Sequence, residues 1–131
     1  MMHFYFSDKA HIFWDDVIEA AVLRWNSIAE KDEFRLPLNK LLELAIKKNA
    51  KKVLFDKYPK FVAAEDAKWF SEEWLPKLLN AGIAYTATVT PEQIHPYNDM
   101  RQAIGNNTTE LSYHDFEDIH NAIGWLSGIS A

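Results

Sequence analysis

Five histidines, His3, His11, His95, His114 and His120, are the side chains of this sequence best suited to moving a proton or holding a metal. An imidazole changes charge near neutral pH and offers a borderline-soft nitrogen to a cation. Two histidines four residues apart on a helix would aim both rings at one ion. His114 and His120 are six apart and point to different sides. Asp115 and Asp118 between them add at most a weak surface site, so this group reads as solvated and capping side chains. His3 and His11 fall on separate early strands and His95 in a loop.

The acids form two groups, Asp15, Asp16 and Glu19, then Glu65, Asp66, Glu72 and Glu73. Paired carboxylates do acid–base work when burial splits their pKa values. These lie in a turn and on helix faces expected to be exposed, which reads as solvated charge. The glycines stand scattered at 82, 105, 124 and 128, with no Lys-Ser/Thr pair after any of them, so a phosphate-cradling loop is absent. None of the serines lies in a G-x-S-x-G elbow between a strand and a helix. The chain has no cysteine, which rules out disulfides, thiolate nucleophiles and Cys-ligated metals. No catalytic, cofactor-binding or metal-binding residue is therefore assigned.

The elements that carry these side chains follow from periodicity. Residues 3–7 (HFYFS), 10–15 (AHIFWD) and 20–25 (AAVLRW) read as three short antiparallel strands, joined by a tight turn at Asp8 and Lys9 and an acidic turn at Asp15 and Asp16. From residue 31 the period changes: Phe34, Leu38, Leu41, Leu42, Ala45 and Ile46 make the stripe of a helix over 31–48. Pro37 in its early turns predicts a late start or a kink, and Asn49 a left-handed stop. Residues 52–56 (KVLFD) form a buried strand, apolar at consecutive positions as parallel strands are.

After a loop at 57–62, a second helix is expected over 64–80, with Ala67, Phe70, Trp74, Leu78 and Ala81 inward and Gly82 as its stop. Residues 83–90 alternate as a strand ended by Pro91. A short helix at 97–104, a strand at 111–113 and a helix at 115–126 complete the chain, the last turning Phe116, Ile119, Ala122, Ile123 and Leu126 inward. Strands alternating with helices after residue 20 predict one α/β domain over residues 1–131. Its sheet is mixed: antiparallel N-terminal strands, then parallel βαβ crossovers with helices packed on them.

Composition sets the outer bounds. With 131 residues, 48% hydrophobic and 25% charged, the chain is of ordinary globular make-up and long enough for one core. A net charge of −5 argues against a nucleic-acid or anionic-membrane partner. The one basic run, Lys47, Lys48, Lys51 and Lys52, sits at a helix end, where cations suit the dipole. No basic leader and no run of ~18–20 apolar residues is seen, so no membrane span is expected and the natural setting is cytoplasmic.

Trp69 stands apart. On a helix with 100° steps, Ala67, Phe70, Trp74 and Leu78 fall within about 80° of one another, with Trp69 nearly opposite their centre. An outward Trp69, beside Tyr58 and Phe61 of the preceding loop, would form a candidate partner or dimer surface.

Three stretches, LELAIKKNAKKVLFD, AAEDAKWFSEEWLPKLLNAGIAYTATV and FEDIHNAIGWL, give the chain a resemblance to a family of small bacterial proteins, the STAS/SEC14-like or SpoIIAA-like proteins, over roughly residues 20–126. The resemblance implies a four- or five-stranded mixed sheet with helices on it. One branch of that family binds protein partners and is switched by phosphorylating a serine at the start of the helix after a central strand. The other carries apolar molecules in an internal cavity. This sequence departs from the first branch: Asp56 is followed by Lys57-Tyr58-Pro59-Lys60, without Ser or Thr, and the nearest hydroxyl, Ser71, lies well inside the next helix. A phosphate there would not meet the free N–H groups of a helix start.

The leading expectation is thus a non-enzymatic interaction or regulatory module of the SpoIIAA-like type, without the phospho-serine switch, acting on a protein partner or as a homodimer. A SEC14-like carrier of apolar small molecules is the alternative, and an enzyme of unknown type the third.

Overall fold

The computed structural model describes residues 2–27, 29–56, 63–89 and 112–129. The three N-terminal strands are β1 (Met2–Phe6), β2 (Ala10–Asp15) and β3 (Ala20–Trp25). Helix α1 (Asp32–Lys48) leads to β4 (Lys52–Asp56). A continuous helical run follows, made of α2 (Ala64–Trp69), a π-helical stretch (Phe70–Trp74) and α3 (Leu75–Asn80). Strands β5 (Tyr85–Val89) and β6 (Ser112–Phe116) and helix α4 (Ile119–Ser127) complete the described elements.

The six strands form one mixed sheet whose spatial order is the sequence order, β1-β2-β3-β4-β5-β6. β1, β2 and β3 pair antiparallel, and β3, β4, β5 and β6 pair parallel. The antiparallel half needs only short turns, whereas each parallel step needs a crossover, which α1 supplies between β3 and β4 and the π-interrupted run between β4 and β5. The expected division into antiparallel and parallel strands is present. Six strands replace the four or five that the family resemblance implied.

Burial follows this layering. On one face, Phe34, Leu38, Leu41 and Leu44 of α1 and Phe70, Trp74, Leu75 and Leu78 of the second helical run enclose Ile12, Leu23, Trp25, Val53 and Phe55 of the sheet. On the other, Ala122 and Leu126 of α4 cover Val22, Leu54, Ala87 and Val89. β3 and β4 are therefore apolar at consecutive positions because both their faces are covered, and β2 alternates because only one of its faces is fully buried.

Helix α1 runs unbroken through Pro37, which is buried, instead of starting late. Asn49 ends it in the left-handed conformation (φ 52°, ψ 46°), and the N–H groups of Asn49 and Ala50 satisfy the carbonyls of Ile46 and Ala45. Each lysine of the basic run has a local role. Lys47 lies over the Phe4 ring and Lys48 over Trp14. Lys51 packs close to Gly82, and the buried Lys52 ammonium donates to the Ile18 carbonyl at 3.1 Å.

Three boundaries differ from expectation. β5 starts at Tyr85 rather than Ile83, because the N–H groups of Ala84 and Tyr85 both donate to the Lys51 carbonyl in the approach to the sheet. β6 continues to Phe116 because it pairs with β5 along its length. Helix α4 consequently starts at Ile119 instead of residue 115, with Asp118 capping it by accepting from the His120 N–H at 2.6 Å. The short helix expected at 97–104 lies outside the described residues.

Candidate functional site

The second helical run buries Phe70, Trp74 and Leu78 as expected, with Asp66 and Leu75 joining them while Ala67 and Ala81 are only partly buried. Asp66, expected on an exposed face, is 1% accessible. Its carboxylate accepts from the Lys31 N–H at 2.9 Å and from Arg35 Nε at 3.1 Å, and so closes the N-terminus of α1 from a neighbouring helix. Lys31 there holds a positive φ of 53° and no local side-chain cap, so this tertiary carboxylate takes the place of one.

The inclusion of Asp66 also corrects the placement of Trp69. The inward face is centred closer to Asp66 than to Ala67, and Trp69, three residues on, lies beside it. Trp69 is half-buried, edge-on to Phe34 at 6.4 Å, with the Arg35 guanidinium 5.3 Å from its ring. It packs on the core instead of pointing away from the sheet. Tyr58 and Phe61, the other members of that candidate surface, lie outside the described residues, as does His95.

An exposed aromatic group lies at the β1 edge of the sheet. Helix α4 lies across β4, β5 and β6. On the same face, the β1–β2 hairpin carries His3, Phe6, His11 and Phe13. Alternation would put His3 and Phe6 on opposite faces, since they are an odd number of residues apart. An irregularity in the β1–β2 register between His3 and Tyr5 removes that conflict, because Phe6 pairs with His11 while His3 pairs with Phe13. Phe4 and Tyr5, between them, both pack toward the α1 side.

The result is an aromatic cluster in the open. His3 Nδ1 lies 2.7 Å from His11 Nε2, the two rings edge to edge with centroids 4.8 Å apart and 16° between planes. Phe6 meets His11 edge-on at 5.6 Å, and Phe13 lies 4.9 Å from His11. Phe6 is 73% exposed. The His11 pKa is pushed below its ordinary value, first by burial, then by repulsion from His3 and from Arg24 on β3. Arg24 is itself paired with Asp56 across 3.7 Å.

Sequence reasoning placed His3 and His11 on early strands but did not join them. In an unbroken register Phe6 opposite His11 would set His3 opposite Trp14, on the far face; only the register shift brings the two rings together, and no residue of β1 announces it. The remaining histidines play other parts. His114 packs 4.5 Å from Trp125, and His120 stands exposed at the start of α4. Among the described residues no three His, Cys, Asp or Glu side chains gather as a metal-binding group, and no helix is long and apolar enough to cross a membrane.

The fold and this surface define a mixed α/β sheet with helices on both faces and an uncovered aromatic hairpin. Compared with protein-family models, with curated proteins and with solved structures, the chain matches none.

Proposed function

We propose that this chain is a non-enzymatic interaction or regulatory module of the SpoIIAA-like type, engaging a protein partner through the open face of its β1–β2 hairpin. The observation that carries this reading is Phe6, a large apolar ring 73% exposed on an edge strand and backed by His11 and Phe13. Exposed aromatics held by neighbouring rings lose little conformational freedom on docking, and edge strands offer unpaired backbone groups to an incoming segment. The absence of a phospho-serine switch is part of the proposal. It is supported by Ser71, whose hydroxyl donates to the Lys68 carbonyl within the helical run rather than standing at a helix start.

The test is affinity capture and sedimentation with three forms: wild type, Phe6→Ser, and Leu36→Ser as a control for another exposed apolar residue. A protein, or a second copy of the chain, retained by wild type and Leu36→Ser and lost by Phe6→Ser is the expected result. Association that is indifferent to Phe6, or none at all by either method, overturns the reading.

A further inference from the structure

We propose that His3 and His11 together form a two-imidazole site for a borderline divalent transition cation such as Zn²⁺ or Ni²⁺. The two nitrogens already face each other across 2.7 Å, with a proton between them. A cation with metal–nitrogen bonds of ~2.0–2.1 Å and tetrahedral angles needs its two nitrogens roughly 3.3 Å apart. The pair must therefore open by about 0.6 Å, a small side-chain rotation for the exposed His3. In the neutral pair one ring donates this proton to the other; on ligation it shifts to the donor ring's own outer nitrogen, which leaves His3 protonated on Nε2 and His11 on Nδ1, both facing nitrogens free for the cation, and no net proton released.

The surroundings favour nitrogen-seeking cations over hard ones. No third His, Cys, Asp or Glu joins the pair among the described residues, so Mg²⁺ and Ca²⁺, which demand several oxygen ligands, find no cage. The rest of the shell is left to water or to a donor from another molecule. Arg24, the cationic group facing His11 from β3, is offset by its pairing with Asp56. The tilted Phe13 ring and the edge contact with Phe6 hold the His11 ring in place, which limits the ordering cost of ligation. This site does not depend on the partner surface, although the two share the hairpin.

The experiment uses the untagged full chain, because a polyhistidine tag would compete. Zn²⁺, with Mg²⁺ as control, is titrated at pH 7.5 and 5.5 by calorimetry, and the imidazole signals of the wild-type protein are followed by NMR. Expected are one Zn²⁺ per chain, movement of the His3 and His11 signals ahead of the other imidazoles, and no response to Mg²⁺. Affinity should weaken at least tenfold at pH 5.5, where protons compete, and at least tenfold in His3→Asn and His11→Asn, but not in His114→Asn. Unmoved His3 and His11 signals at saturating Zn²⁺ overturn the proposal even if a variant misfolds. So does unchanged affinity in folded His11→Asn. Neither result bears on capture through Phe6, which is measured with a chelator present.

Discussion

The Asp66 carboxylate lies 3.1 Å from Arg35 Nε and ties the first turn of α2 to the first turns of α1, while its second oxygen holds the Lys31 N–H at 2.9 Å. Removing this acid takes the partner from the Lys31 N–H and the counter-ion from the Arg35 guanidinium. Asp66→Ala is expected to cost about 1.5–3 kcal/mol, the range for hydrogen bonds to charged groups. Asp66→Asn, which keeps one acceptor, should cost clearly less. Urea unfolding of both variants checks this. Equal stability in Asp66→Ala and wild type would mean that the tie carries no net energy.

Phe70 and Trp69 are neighbours in sequence with unequal expected costs. Phe70 is fully buried and stacked on Trp74 at 5.0 Å, so Phe70→Ala should destabilise by about 3–5 kcal/mol. Half-buried Trp69 loses only part of its area and a cation–π contact worth about 0.5–1 kcal/mol, so Trp69→Ala should cost less. Unfolding midpoints of the two variants decide it, and a reversal of their order would contradict the packing described.

The His11 pKa is depressed in the folded state, so the unfolded chain binds its proton first as pH falls. Stability contributed by keeping this ring neutral is present above the ordinary value of about 6.5, and is lost as pH drops through it toward the lower folded value. With a chelator present, wild type should lose more stability between pH 7.5 and 5.5 than His11→Gln does. Denaturant titrations at both values measure the difference, and parallel losses in the two proteins would refute it.

Gly82 holds a φ of 100°, just after α3, where among the described residues the close neighbour of an added Cβ is the flexible end of Lys51. Backbone strain, not crowding, therefore sets the cost of Gly82→Ala, about 1–2 kcal/mol. Asn49, also left-handed at φ 52°, should behave oppositely: Asn49→Gly is expected to be neutral or slightly stabilising. Thermal melts of the two variants should move apart.

Much of this fold is legible in the sequence because burial here is periodic. The stripe from Phe34 to Ala45 defines α1 within a residue at its start, and the consecutive apolar Val53, Leu54 and Phe55 announce a strand covered on both faces. The same local logic misreads α4, because Asp115 offers as good a helix start as Asp118, and only pairing with β5 commits residue 115 to a strand. Asp66 is hidden for a related reason: an acid in a first helical turn already has a local explanation, and nothing nearby signals Arg35, thirty-one residues earlier. The His3–His11 pair is the least legible feature. It depends on one surplus residue in β1, whose position is set by how Phe4 and Tyr5 both reach the core.

Because neighbours in space are also neighbours in sequence across the whole sheet, no strand has to be threaded between two others already in place. The β1–β2–β3 meander closes through short turns and so has low-entropy routes to assembly, whereas each later strand must wait for a helix-length loop to close behind it. That ordering predicts growth of the sheet from its N-terminal edge, one strand at a time in the direction of synthesis.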